Sequence, residues 1–152
     1  MVDILHRVGI TASQDAVYQA LTTIEGLTGW WTSDVRGDGD AGGLVQFRFR
    51  FDDSPDPGGF DMSVLEAKPA ERVLWEVVDG PGEWLGTHVS WDLRTEGDYT
   101  IIMFAHSGWR EPVEFMHHCS TKWATFLMSL KAFVETGTGA PAPDDVQISD
   151  WH

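Results

Sequence analysis

Histidine is the side chain in this sequence best suited to acid–base chemistry near neutral pH. Six histidines are present, and His106 ends a segment in which Ile102 and Phe104 occupy the preceding alternate positions. All three side chains therefore share one face of a predicted strand. A neutral imidazole on a buried face could orient a ligand hydroxyl or carbonyl, or could move a proton. The alternative is a partly exposed histidine that is hydrogen-bonded to the backbone.

A metal site would require several such side chains around one ion. The nominal ligands are His106, His117, His118 and Cys119, but adjacent helical positions diverge by about 100°, so His117 and His118 cannot easily face one ion. The HExxH and CxxC spacings are absent. The glycine-rich stretch GDGDAGG also lacks the spacing of dinucleotide-binding and P-loop motifs. The sequence therefore predicts neither a metal nor a cofactor.

Two carboxylates stand beside tryptophans in predicted strands. Glu76 follows Trp75, and Asp92 follows Trp91. A carboxylate that pointed into an apolar pocket would have a raised pKa and could serve as an acid or a base. Because neighbouring strand residues face opposite ways, we expect both tryptophans to point inward and both acids outward.

The composition favours an acidic, single-domain protein. Its 152 residues carry a net charge of −14, which should repel nucleic acid and anionic membrane surfaces. Cys119 has no partner for an internal disulfide, the N-terminus lacks the features of a secretory signal, and no stretch approaches the roughly 20 apolar residues that span a bilayer. We therefore predict a cytoplasmic location. The eight Trp and eight Phe are suited either to a bulky core or to the walls of a ligand site.

Apolar periodicity predicts the elements that would position these residues. A strand over residues 3–10 precedes a helix over 14–23 with Ser13 as its N-cap; Gly26 breaks this helix before a short helical turn at Leu27, Trp30 and Trp31. Residues 34–43 read as an exposed loop and DDSPDPGG as a turn. Five more strands are predicted over 44–51, 60–67, 72–78, 87–94 and 99–106. A long helix follows from Pro112 to Gly137, and a tail that lies on the surface or is disordered completes the chain.

The long helix defines the expected binding face. Met116, Ser120, Trp123, Leu127 and Leu130 recur every three or four residues and should face the sheet. A buried Ser120 hydroxyl would need a partner, either in a pocket or in the preceding helical turn. Because one helix of about 35 Å is narrow relative to six strands, we expect a bent sheet to leave an apolar cavity beside it.

The order of these segments resembles a known superfamily. The segments TASQDAVYQALTTIEGLTGWW, KPAERVLWEV, THVSWDLRTEGDYTIIMFAHSGW and STKWATFLMSLKAFVETGTGAP are similar to the START-like helix-grip superfamily (SRPBCC), and within it to homologues of the heat-shock-protein-90 ATPase activator. The resemblance implies an α+β fold over residues 1–138, with a tail at 139–152. In it a curved six-stranded antiparallel sheet wraps around the C-terminal helix, two short helices follow the first strand, and His106 points inward. From the inward-facing positions of these elements we predict the ligand-binding residues Trp30, Trp31, Phe47, Phe49, Trp75, Trp91, Phe104, His106, Met116, Ser120, Trp123 and Leu127.

Three functions follow as hypotheses. The first is binding of a small hydrophobic or aromatic metabolite in the internal cavity. The second is a polyketide cyclase-, aromatase- or hydrolase-like activity in the same cavity, with His106 as the catalytic candidate. The third is a chaperone-associated interaction module. The protein could be a monomer or a homodimer, the latter through an outward-facing apolar pair formed by Ile101 and Met103.

Overall fold

The computed structural model describes residues 1–50 and 57–152, which form one antiparallel sheet with three helices. The described elements, in chain order, are β1 (Val2–Ile10), α1 (Gln14–Thr22), α2 (Ile24–Trp30), β2 (Asp34–Gly37), β3 (Leu44–Phe49), β4 (Gly58–Lys68), β5 (Arg72–Asp79), β6 (His88–Glu96), β7 (Tyr99–Trp109) and α3 (Glu114–Thr136). The strand order is β1-β7-β6-β5-β4-β3-β2. This is the predicted α+β helix-grip architecture, with one more strand than expected.

The additional strand, β2, shows that the prediction of a loop over residues 34–43 is partly wrong. Val35 is buried and pairs with Phe47, so these residues form the sheet edge beside β3. The signal was missed because Val35 is a single apolar residue among Asp, Arg and Gly. All six predicted strands are present. Phe51, the last residue of the predicted strand 44–51, lies outside the described residues, as does most of the predicted DDSPDPGG turn, including Asp52 and Asp53.

The two short helices meet at Thr23 rather than at Gly26. Ser13 caps α1 as predicted, because its hydroxyl accepts a hydrogen bond from the Ala16 N–H at 3.1 Å. Thr23 ends α1 and caps α2 through the N–H of Gly26 at 3.0 Å. The prediction that Gly26 breaks the helix is therefore wrong. A side chain there would clash with α1, since a Cβ atom would lie 2.6 Å from the Ala20 Cα atom.

Helix α3 ends at Gly137 as predicted, in the left-handed conformation that glycine adopts readily (φ 87°). Its buried residues, however, are offset from the predicted face. Met116 and Ser120 are only half-buried, whereas Cys119 and Phe126 are buried beside the expected Trp123, Leu127 and Leu130. At 23 residues α3 is the longest described helix, and no described helix combines the length and apolarity needed to cross a bilayer.

Aromatic rings fill the middle of the space between the sheet and α3. The Trp31 ring centroid lies 5.9 Å from that of Trp75 and 5.1 Å from that of Trp123, and the Trp91 centroid lies 4.9 Å from that of Phe104. All of these rings are almost completely buried. The expectation that the inward-facing aromatics leave this central space open is therefore wrong, because the rings meet one another.

The tail is packed against the domain. Ala142 is buried and forms a parallel bridge to Thr32. Its N–H donates to the carbonyl of Trp31 at 2.8 Å, and its carbonyl accepts from the N–H of Ser33 at 3.1 Å. These bonds direct the following residues back over α3, toward the end of the helix at which Lys122 lies.

Candidate functional site

A cavity of about 220 Å³ lies at one end of the space between α3 and the sheet. Strands β3 and β4, the loop between β5 and β6, helix α3 and the tail all contribute to its walls. The lining residues used below are Phe49, Phe60, Trp84, His118, Cys119, Lys122, Trp123, Phe126, Trp151 and His152. The cavity thus adjoins the packed aromatic core.

Aromatic rings dominate the walls. Trp84 and Trp123 lie nearly parallel, with centroids 6.0 Å apart and an interplanar angle of 12°. Phe60 lies 4.7 Å from Trp84, and Phe126 lies 5.9 Å from Trp123. Such surfaces bind apolar and ring-containing molecules through burial and stacking.

Cys119 and Trp84 bring two polar groups to the wall. Burial raises the pKa of the Cys119 thiol to about 12, although its interaction with the Trp84 indole N–H acts in the opposite direction. The thiol is therefore protonated at neutral pH and is a poor nucleophile. Within residues 1–50 and 57–152, that buried N–H has no acceptor at normal hydrogen-bond geometry, and the neutral sulfur is a weak one.

His106 lies behind the cavity wall and supports it. The Trp123 indole can only donate, so its 3.1 Å bond to Nδ1 places the imidazole proton on Nε2. Nε2 then donates to the Thr87 hydroxyl at 2.8 Å, and that hydroxyl donates to the Trp84 carbonyl at 2.6 Å. Burial lowers the pKa of His106 to about 3. The ring is therefore neutral, both of its nitrogens are engaged, and it links the two tryptophan walls.

The predicted ligand-binding residues separate into two groups. Phe49 and Trp123 line the cavity. The residues that do not line it are Trp30, Trp31, Phe47, Trp75, Trp91, Phe104, His106 and Leu127, which are buried in the core, and Met116 and Ser120, which are half-buried on α3. Sequence reasoning missed Phe60, Trp84, Phe126 and Trp151. Trp84 did carry a signal, since a large aromatic in the glycine- and proline-containing loop DGPGEWLG has no place in a strand pattern.

The two carboxylates beside strand tryptophans point away from the core, as predicted. Trp75 and Trp91 are buried, whereas Glu76 is half-buried and Asp92 is exposed. Asp92 lies 2.6 Å from the Arg72 guanidinium. Neither carboxylate lines the cavity.

The nominal metal ligands are dispersed. His106 is used by Trp123 and Thr87, and the Nδ1 atom of His117 lies 3.1 Å from the Val113 carbonyl. In the part of the chain that the structure describes, no three His, Cys, Asp or Glu side chains come together as metal ligands would.

The grip of an antiparallel sheet on a long C-terminal helix, with an apolar cavity at one end, defines a START-like (SRPBCC) domain. Comparison with known proteins gives the family within this class. Residues 11–135 match the family described as Activator of Hsp90 ATPase homolog 1-like protein, and the chain belongs to that family.

Solved structures show the same fold. The Aha1 dimer from Colwellia psychrerythraea is 45% identical, with a TM-score of 0.80, and the match covers 91% of this chain and 100% of that one. CalU16 from Micromonospora echinospora is 21% identical (TM-score 0.68; 89% of this chain and 77% of that one). DynU16, from the dynemicin biosynthetic locus, is 23% identical (TM-score 0.72; 90% and 48%). At these lower identities the likeness concerns the fold alone. No curated protein matches the chain.

Proposed function

We propose that this protein binds a small, apolar, ring-containing molecule in the end cavity. The observation that carries the proposal is a space of about 220 Å³ between the Trp84, Trp123, Phe60 and Phe126 rings. A cavity of about 150 Å³ is enough to hold benzene. The space is larger than that and therefore suits a small molecule with up to three rings, which would lie against the aromatic walls.

Binding without chemistry is the function that the wall residues support best. The Cys119 thiol is protonated, and His106 lies outside the lining with both nitrogens engaged. The cyclase- or hydrolase-like alternative stays a prediction. If catalysis occurs in this cavity, His118 is better placed than His106, because it lines the cavity. Burial, followed by the nearby Lys122 charge, lowers the pKa of His118, which favours the neutral imidazole that a general base requires.

Titration with the neutral fluorescent probe N-phenylnaphthylamine tests the binding proposal. Wild-type protein should bind one probe molecule with saturation, because the probe carries two fused rings and a third ring that fit an aromatic slot. Cys119→Phe places a ring inside the cavity and should weaken binding by at least about tenfold, equivalent to about 1.4 kcal/mol.

Thr121→Phe is the matched control, because residue 121 lies on the exposed side of the same helix. It should bind the probe as the wild type does. Absence of saturable binding to the folded wild type, or equal binding by the two phenylalanine variants, would contradict the proposal.

We also infer that the protein forms a homodimer, as the Colwellia relative does. A contact between two copies of an acidic chain must exclude like charges. The predicted Ile101–Met103 pair supplies little free surface, because Ile101 is buried while Met103 is 41% exposed. Measuring the molar mass of the protein in solution tests this inference directly, because a dimer has twice the 16.9 kDa mass of one chain. The chaperone partner suggested by the family's name stays a prediction.

A further inference from the structure

A buried cation lies on the wall of the cavity. Lys122 is only 8% exposed and lines the space described above. Its Nζ atom lies 2.7 Å from a carboxylate oxygen of Asp145, whose side chain is 4% exposed. Taking two charges out of water carries a large desolvation cost. A buried ammonium therefore needs an anionic partner, and in this structure Asp145 supplies it.

The tail supplies the hydrogen-bond acceptors of this ammonium. Nζ donates to the Val146 carbonyl at 2.7 Å and to the main-chain oxygen of His152 at 3.4 Å, and it forms an ion pair with the Asp145 carboxylate without hydrogen-bond geometry. Two of the three donors of the ammonium are therefore used by main-chain oxygens of the tail. The Asp145 carboxylate also receives the His152 imidazole at 3.2 Å. In this structure a carboxylate of the chain itself thus occupies the anion position beside Lys122.

The residues around Asp145 are otherwise loosely packed. Val146 is 59% exposed and Trp151 is 50% exposed, although both are large and apolar. The Trp151 ring centroid lies 5.5 Å from that of His118, and Trp151 forms part of the cavity wall. Because the polar contacts to Lys122 are the most buried ones this segment makes, a competing anion at Lys122 could replace it.

We propose that the cavity takes an apolar organic acid, whose rings lie among the aromatic walls and whose acid group replaces Asp145 at Lys122. This inference rests on the proposed function and specifies its ligand class. A carboxylate or sulfonate would replace the Asp145 charge in this ion pair and would accept charge-assisted hydrogen bonds from Nζ. The tail residues from Asp145 onward then compete with the ligand for Lys122. An acidic ligand must displace them, whereas a neutral ligand need not.

A matched pair of probes tests the acid recognition. Anilinonaphthalene sulfonate and N-phenylnaphthylamine share their ring system and differ in the sulfonate. Asp145→Asn keeps the shape of the side chain but removes the competing charge. It should therefore increase affinity for the sulfonate probe by about tenfold more than affinity for the neutral probe. Lys122→Met should abolish the preference for the sulfonate, measured as the ratio of the two probe affinities.

Lys68→Met is the control for net charge, because Lys68 is an exposed lysine and its loss should leave the probe preference unchanged. If Asp145→Asn changed both affinities by the same factor, or if the sulfonate bound none of the proteins while the neutral probe bound, acid recognition would be wrong and apolar binding would stand. If neither probe bound the wild type or any variant, the proposed function itself would fail.

Discussion

At the scale of single residues, His106 connects the packed core to the wall of the cavity. Its two nitrogens hold Trp123 directly and Trp84 through Thr87, so the spacing of both aromatic walls depends on one neutral imidazole. Breaking a buried network of this kind leaves unsatisfied donors, each costing about 1–3 kcal/mol. A histidine on an apolar strand face thus positions the wall side chains instead of lining the cavity.

This role predicts a pH dependence of stability. The pKa of His106 is lowered to about 3 from the ordinary 6.5, so the folded state binds fewer protons than the unfolded state. The contribution to stability is complete above about pH 6.5 and decreases as pH falls toward 3. Between about pH 7.5 and 5, the wild type should lose roughly 2 kcal/mol of unfolding free energy through this residue.

Denaturant unfolding of His106→Gln at the two pH values checks this. Glutamine retains a donor and an acceptor but does not titrate, so the loss on acidification should shrink by that amount. His88→Gln, at a half-buried histidine of β6, should keep the wild-type dependence. An unchanged dependence in His106→Gln would show that His106 is not held neutral by burial.

At the scale of elements, close packing of the short helices places the paired tryptophans. Gly26 brings α2 against α1, and the Trp30 indole N–H donates to the Ala20 carbonyl at 2.8 Å. The Ser129 hydroxyl of α3 donates to the Trp30 carbonyl at 2.7 Å. Trp31, the next residue, is thereby inserted among Phe47, Trp75 and Trp123.

Gly26→Ala should therefore destabilise the protein. An added Cβ atom would lie 2.6 Å from the backbone of Ala20, and such overpacking costs about 1–3 kcal/mol. Gly82→Ala is the control, because nothing lies within 4 Å of the corresponding Cβ position. Thermal unfolding should show a lower Tm for the first variant only. Equal Tm values would mean that the helices are not packed this closely.

The same elements show how far the sequence predicts the structure. Alternation in LVQFRF and the three- and four-residue spacing around Trp123 predict β3 and α3, because each element buries one face. Val35 of β2 belongs to no repeating pattern, so the edge strand was missed. Most of the predicted ligand-binding residues lie in the packed core instead of on the cavity wall for a related reason. The cavity walls include Trp84 from a loop and Trp151 from the tail, and tertiary packing positions these residues without local periodicity.

At the scale of the whole molecule, the fold separates a packed aromatic core from a cavity at one end. Rings meet in the middle of the grip and stabilise it, while the space left at one end is bounded by Trp84, Trp123 and the tail. A net charge of −14 disfavours anionic molecules at long range, although screening limits this to about 10 Å at moderate ionic strength. Recognition of an acid would therefore depend on the local charge of Lys122.

The most direct test of apolar binding in the end cavity is a crystal structure with bromonaphthalene and the anomalous signal of its bromine. We expect one bromine peak between the rings of Phe60, Trp84 and Trp123, with the central Trp31, Trp75 and Trp91 cluster unchanged. A bromine peak located elsewhere, or an end cavity without the compound at saturating concentration, would contradict this assignment.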